Sequence, residues 1–374
     1  MVSERNTCKV AVAMSGGVDS SVTAALLKAE GYEVIGITMQ ILPLCEPTAR
    51  FKGLNSYSGC DVVADAKKVA DRLGVVHYVA DLIDIFNQKV IAHFYREYSL
   101  GRTPNPCIQC NKFVKFGALL RMAEELGACV MATGHYARIE KDATGERYLL
   151  KKGSDTARDQ SYFLYTLTQE QLERSLFPLG ELSKEKIRQL AEEMELPVAN
   201  RKESREICFI PDEDYPGFLE EYNGSIVRPG PIIDRQGNIL GEHKGISFYT
   251  IGQRRGLGIS AREPLYVVAL DHKRNAVVVG GKKETYGREL TASEVNWIAF
   301  EEPRQPFRVK ARVRYLHREA SATLVPLAES KAQVKFNEPQ MAITPGQAVV
   351  FYDGDTVIGG GSITEVGQKG ELGG

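Results

Sequence analysis

The sequence predicts an α/β N-terminal domain with a doubly wound parallel sheet, then a small β-rich central domain and a C-terminal β-barrel. Three observations predict it. Apolar strand-like runs alternate with helix-periodic runs through the first 211 residues, a glycine-rich turn joins the first strand to the first helix, and short β-branched runs punctuated by Gly and Pro follow.

The elements follow in order. Residues 10–14 form a continuous apolar run of buried-strand type, and residues 18–28 have helical periodicity that ends near Gly31. EVIGITMQI (33–41) reads as a strand, and CDVVADAKKVADRLG (60–74) as an amphipathic helix closed by glycine. VVHYVAD is a strand, 86–98 and 111–126 are helices, and ACVMATGHYA is a strand. Such alternation puts a ligand site beyond the carboxyl ends of the strands. Residues 42–59 lose periodicity and collect Pro, Gly, Ser and Asn, as expected of a long mobile loop over that site. TQEQLERSLF and SKEKIRQLAEEMEL are helical, after which RPGPIIDRQGNIL, YVVALDHKRNAVVVGG and AVVFYDGDTVIGGGSI read as short strands with turns. The expected domains are 1–211, 212–284 and 285–374.

With 374 residues the chain is long enough for two or three domains and a sizeable core. At 43% hydrophobic and 25% charged it has the composition of a soluble globular protein, with no apolar run of membrane-spanning length and no leader-like N-terminus; a cytoplasmic protein is expected. The net charge of −1 gives no global pull towards nucleic acid, so such a partner must be held by a local basic patch. Seven cysteines spread over the chain do not form a secreted disulfide framework, which leaves metal binding, sulfur chemistry or plain burial.

SGGVDSS (15–21) follows the first strand and opens a helix. Its glycines let backbone N–H groups converge, and the helix N-terminus adds its dipole, so the loop is an anion cradle. It lacks the GK[ST] ending of a Walker loop. Asp19 beside phosphates requires Mg²⁺ or an oriented backbone, which points to a metal-bound nucleotide. Met39 and Gly134 fall at ends of later strands, on the same sheet edge.

TPNPCIQCNKF (103–113) sets Cys107 and Cys110 three positions apart, between prolines and a helical run. If the helix starts just after the prolines, Cys110 sits in its first turn, where the dipole and Lys112 and Lys115 would favour its thiolate. With no second Cys-x-x-C, a self-contained zinc ribbon is not expected. Cys208, in KESREICFI, lies at the junction of the α/β and β parts. Cys8, Cys45, Cys60 and Cys129 read as structural, with Cys45 and Cys60 in or beside the long loop.

SGGxDS in a strand-to-helix context is the signature of the PP-loop ATP pyrophosphatases. SGGVDS, TPNPxxxCNKxxKF, ATGHYA, DQSYFL, ICFI and YTIGQRRGLG, in this order, resemble the tRNA-specific 2-thiouridylases, the MnmA family, over essentially the whole chain. The resemblance implies replacement of the C2 oxygen of the wobble uridine (position 34) by sulfur in tRNAs for Lys, Glu and Gln. ATP would adenylate that oxygen, and persulfide sulfur from a cysteine desulfurase or sulfur-relay protein would displace AMP. It matches Cys110 to the nucleophile, Cys208 to the persulfide carrier, and Ala13, Met14, Ser15, Gly16, Gly17, Val18, Asp19, Ser20, Met39 and Gly134 to ATP contacts. Asn105, Pro106 and Cys107 match the target-base segment, and Arg158, Asp159 and Gln160 a tRNA-contacting segment. Many members carry Asp at the position of Cys107. Three thiols, Cys107, Cys110 and Cys208, could instead hold a [4Fe–4S] cluster with one open iron, or Cys107 could resolve a disulfide.

RVKARVRY (308–315), read as a strand, puts Arg308, Lys310, Arg312 and Arg314 on one face and Val309, Ala311, Val313 and Tyr315 on the other, a spacing suited to backbone phosphates. Arg254 and Arg255 offer further cations on a glycine loop. A PP-loop ligase acting on a small molecule would leave the cysteine pair and the basic strand unexplained. A non-catalytic RNA-binding or iron–sulfur carrier protein would have no use for SGGVDS.

Overall fold

The computed structural model of the protein describes residues 8–43, 59–201, 207–210, 217–220 and 228–367. The N-terminal sheet contains β1 (Lys9–Ala13), β2 (Glu33–Gln40), β3 (Val76–Asp81), β4 (Val130–Ala132) and β7 (Ser175–Leu176), in the order β3-β2-β1-β4-β7 and parallel throughout. The order reverses between β1 and β4, so the loops leaving these two strands open onto the crevice at the switch point. Helices cover both faces: α1 (Val18–Ala29) and α8 (Lys184–Glu193) pack over one set of sheet side chains, with Val10, Val12, Val22, Ile187 and Ala191 all buried together. On the other face lies a helix formed by α5 (Pro106–Gln109), a π-helical stretch at Cys110–Leu119 and α6 (Leu120–Glu125), burying Phe116, Leu119 and Ala123. α2 (Gly59–Leu73) follows the expected loop, of which residues 44–58, and with them Cys45, lie outside the described residues.

The expectation of one strand through ACVMATGHYA is corrected. β4 stops at Ala132, the chain crosses the sheet edge at 133–136, and β5 (Ala137–Lys141) begins a hairpin with β6 (Tyr148–Lys152). That hairpin leaves the parallel sheet and joins the C-terminal one, where β6 pairs with β17 (Thr356–Val366). β12 (Tyr286–Trp297), β13 (Phe307–Arg312), β14 (Ala320–Leu327), β15 (Lys331–Met341) and β16 (Ala348–Asp353) run with β17 in the order β12-β15-β14-β13-β16-β17, and β12–β17 pairing closes a six-stranded barrel. The central domain is a four-stranded sheet of β8 (Gly230–Ile233), β9 (Ile239–His243), β10 (Tyr266–Asp271) and β11 (Ala276–Gly280), with Ile232, Val267 and Val277 in its core.

The catalytic-side sheet and the barrel share one hydrophobic core, in which Ile37, Leu119 and Met131 are clustered with Leu150, Val350 and Tyr352. A buried ion pair crosses the same boundary. Asp159, 3% exposed, accepts hydrogen bonds from the amides of Gly153 and Ser161 (3.2 and 3.0 Å), from Ser161 Oγ (3.0 Å) and from Arg312 Nη1 (3.2 Å). Arg312 also donates to Glu319 at 2.7 Å and lies 5.0 Å from the centre of the Tyr352 ring. Removing one member of such a pair strands the other charge, so Arg312→Ala should lower stability by about 3–5 kcal/mol. Urea unfolding of Arg312→Ala beside Asp159→Asn/Arg312→Met checks this: the double variant should regain most of the loss.

Candidate active site

The first turn after β1 is built as expected of an anion cradle. Gly16 takes φ +65°, the N-cap of α1 is Gly17 in extended conformation, and no side chain caps that helix end, which leaves its amides available. Ser20 Oγ accepts from the Ser15 amide at 3.1 Å and folds the loop on itself. Ala13, Met14 and Val18 form the apolar shoulders of the turn, and Met39 stands near the carboxyl end of the adjacent β2. Gly134, leaving β4, approaches so closely that a Cβ there would lie 3.0 Å from Asp19 C and Ser20 N.

Asp19 is held differently from the sequence expectation. Its Oδ1 accepts from Tyr136 Oη at 2.8 Å and from Lys184 Nζ at 2.7 Å, so a lysine 165 positions away supplies the neutralising charge. On the far side of the loop, Arg201 Nη1 donates to Gly16 O (2.7 Å) and to Asp65 (2.6 Å). Neither cation carries a local sequence signal; only the packing of α8 against α1 reveals the first.

The helix bearing the cysteine pair begins at Pro106 itself, with Asn105 as N-cap accepting from the Cys107 amide at 3.1 Å. Proline fits the first helical position, where its missing N–H has no partner to lose. Cys107 therefore occupies the first turn, and Cys110 lies beyond it. Cys110 is 8% exposed, inside an aromatic cluster, whereas Cys107 and Cys208 are exposed. The expectation of an easily ionised Cys110 is overturned: burial pushes its thiol up to about 11, with Lys115 pulling the other way and Cys107 adding to the rise. Burial also raises Cys107 and Cys208, and Cys208 is raised further by Cys110 and Cys107. Cys208 thus stands within the field of both other thiols, and Cys110 within that of Cys107. Lys112 is turned away, to Glu294 at 3.3 Å and the ring of Phe113.

Cys208 is brought there by its neighbours. Phe209 and Ile210 sink into the cluster that contains Cys110 and Val114, with Phe209 edge-on to Phe86 and Phe94 at 5.5 Å each and to Phe218 at 5.3 Å. Phe86 ends α3 (Ile83–Phe86), and Phe94 lies in α4 (Ala92–Ser99). His135, just beyond Gly134, is buried, hydrogen-bonded through Nδ1 to Thr133 Oγ1 at 2.7 Å and kept neutral by burial and by Lys115. Lys115 acts on all three thiols and on His135, which makes it the cation common to the site. Among the described residues, no three His, Cys, Asp or Glu side chains are grouped so as to hold a metal ion.

The other sequence-chosen residues divide into two groups. Arg308 and Lys310 on β13 and Arg314 beyond it are exposed, as are Arg254 and Arg255 on the 252–258 loop. Asp159 and Arg312 are not part of that surface, since each satisfies the other inside the protein. Gln160 is used internally as well: its Oε1 accepts from the Tyr136 amide at 3.1 Å, while Arg158 remains half-buried. Tyr315 lies past the end of β13 and packs against Phe163 at 4.4 Å instead of entering the barrel core, because the strand stops at Arg312.

The sequence matches three family descriptions in succession: "tRNA methyl transferase HUP domain" over 8–212, "tRNA methyl transferase PRC-barrel domain" over 216–281 and "Aminomethyltransferase beta-barrel domain" over 287–363. It is 54% identical over 355 residues to "tRNA-specific 2-thiouridylase MnmA 2" of Thermoanaerobacter sp. (strain X514), covering 95% of this chain and 97% of that protein. It is 52% identical to "tRNA-specific 2-thiouridylase MnmA" of Heliobacterium modesticaldum over 95% of this chain and 92% of that one, and 51% identical to its namesake in Acetivibrio thermocellus over 95% and 99%.

Because the thiolate is the reacting form, alkylation of Cys110 by iodoacetamide should climb about tenfold per pH unit from pH 7 to 9 without levelling. Lys115→Met should slow it further. Peptide-resolved mass spectrometry reads both; a plateau below pH 9 would contradict the raised thiol.

Proposed function

The chain belongs to the MnmA family of tRNA-specific 2-thiouridylases and is a tRNA-uridine sulfurtransferase, and from that premise we propose the following course of reaction. The wobble uridine (position 34) of tRNAs for Lys, Glu and Gln leaves its stack and enters the recess between the SGGVDS loop and the thiols. Its C2 oxygen attacks the α-phosphorus of ATP, and pyrophosphate leaves. A carbonyl oxygen is a poor leaving group, whereas the adenylate it becomes departs as AMP. A persulfide on Cys208, loaded by a cysteine desulfurase or a relay protein, supplies the sulfur to C2. Cys110 attacks the sulfur of Cys208, so the transferred sulfur gains two electrons as Cys110 and Cys208 form a disulfide, and an external dithiol returns both to thiols. The observation that carries this reading is that Phe209 and Ile210, the neighbours of Cys208, share one buried cluster with Cys110, which brings Cys208 within the field of the Cys110 thiol.

Asp19, at the loop, is the carboxylate that would hold Mg²⁺ arriving with ATP. Arg254, Arg255, Arg308, Lys310 and Arg314, all exposed, suit tRNA phosphates, and Asn105 and Cys107, at the start of the cysteine-bearing helix, would face the base. No helix among the described residues is long and apolar enough to cross a membrane.

A second reading is favoured by one observation, that Cys107 as well as Cys110 raises the Cys208 thiol. Three neighbouring thiols have the donor chemistry for a [4Fe–4S] cluster, but as they stand Cys107, Cys110 and Cys208 are not grouped so as to hold a metal ion, so they would hold one only after drawing together, and the cluster would then offer sulfide an open iron.

Pyrophosphate release should require tRNA, fall to background in Asp19→Ala and persist in Cys110→Ser, which should form no 2-thiouridine; release without tRNA would support a small-molecule ligase. Iron and acid-labile sulfide on protein purified without oxygen decide between the sulfur routes. Near-stoichiometric amounts lost together with thiolation in Cys107→Ser support the cluster, and an iron-free enzyme that still thiolates from a persulfide donor sinks it. Neutralising Arg308 and Lys310 together should lower the slope of log affinity for tRNA against log salt by about 1.5–2.

A further inference from the structure

Lys184 opens α8, a helix whose buried positions Ile187 and Ala191 pack into the apolar layer over the sheet. Its side chain is 7% exposed, yet its Nζ is aimed at the nucleotide loop, 2.7 Å from Asp19 Oδ1. Burying an ammonium is expensive, and a helix that needed only packing here would carry an apolar residue or a short polar one. We propose that Lys184 is a phosphate-binding residue of this site, contacting the β- and γ-phosphates of ATP and stabilising the pyrophosphate that leaves. The proposal rests on the adenylating reading above.

Three features of the loop carry it. The amides at the start of α1 have no side-chain cap, so the site is prepared for an anion. Asp19 sits in that same first turn with a third of its side chain open to solvent, and an unneutralised carboxylate there would repel a polyphosphate. Lys184 cancels that charge at rest, while Tyr136 Oη donates to the same oxygen at 2.8 Å and its ring lies 5.8 Å from the ammonium. The phenol thus keeps Asp19 in place when the lysine turns to phosphate. Arg201, across the loop, is committed to Gly16 O and Asp65, so it braces the turn from behind. As the C2 oxygen bonds to the α-phosphorus, the bond to the bridging oxygen breaks and its electron pair leaves on pyrophosphate; an ammonium held in a water-poor site meets that charge as it develops.

The test is calorimetric binding of ATP, AMP and pyrophosphate, with Mg²⁺ present, to wild type, Lys184→Met and Lys184→Arg, each checked for an unchanged melting temperature. Lys184→Met should weaken ATP and pyrophosphate about tenfold or more, as loss of a charge-assisted contact does, and leave AMP within about threefold. Lys184→Arg, which keeps the charge and displaces it, should give an intermediate ATP-to-AMP ratio and stands in if the methionine variant does not fold. A wild-type ratio in both variants, or equal weakening of all three ligands, makes Lys184 a counter-ion to Asp19 alone and overturns the inference. Wild type that fails to bind ATP more tightly than AMP overturns the adenylating reading itself.

Discussion

The contact on which the chemistry depends is the seating of Phe209 among Phe86, Phe94 and Phe218. Cys208 is exposed and has no element of regular structure to hold it. What keeps it beside Cys110 is the burial of its neighbours, at roughly 1.5–3 kcal/mol for a fully buried large apolar side chain. The thiol is thereby anchored through the next residue while its own sulfur stays open to a donor.

The partner thiols are fixed from the opposite direction, by the barrel. The Thr103 amide donates to Pro345 O at 2.9 Å, and Gln347 Nε2 donates to Thr103 O at 2.8 Å. Gly346 between them has φ +90°, and a Cβ there would stand 2.9 Å from both Arg102 Cβ and Thr103 N, so only glycine allows the two loops to meet. Asn105 then starts the helix. The position of Cys107 is thus set by residues 240 positions downstream as well as by its own cap. The shared core and the Asp159–Arg312 pair hold the barrel to the sheet, which makes the C-terminal domain part of the site's frame.

Much of this was legible in the sequence, for identifiable reasons. The β1 loop and α1 could be read because strand, glycine turn and helix are contiguous, and the inward set Val309, Ala311 and Val313 because strand alternation is local. What could not be read is long-range. Nothing near Arg312 announces that Asp159 would claim it, and nothing near Lys184 announces Asp19. The ATGHY turn was taken for strand because its apolar residues are needed to cross the sheet edge, where burial without pairing looks the same in sequence. The state of Cys110 was misjudged because helix position suggests a dipole, whereas the surrounding rings, which come from α3, α4 and the Cys208 segment, decide the desolvation.

That misjudgement has a functional side. A thiol pushed up to about 11 is overwhelmingly protonated at neutral pH, so Cys110 at rest is a poor nucleophile. Among the described residues, Lys115 is the influence on Cys110 that favours its thiolate. The balance between burial and Lys115 therefore sets when the site reacts.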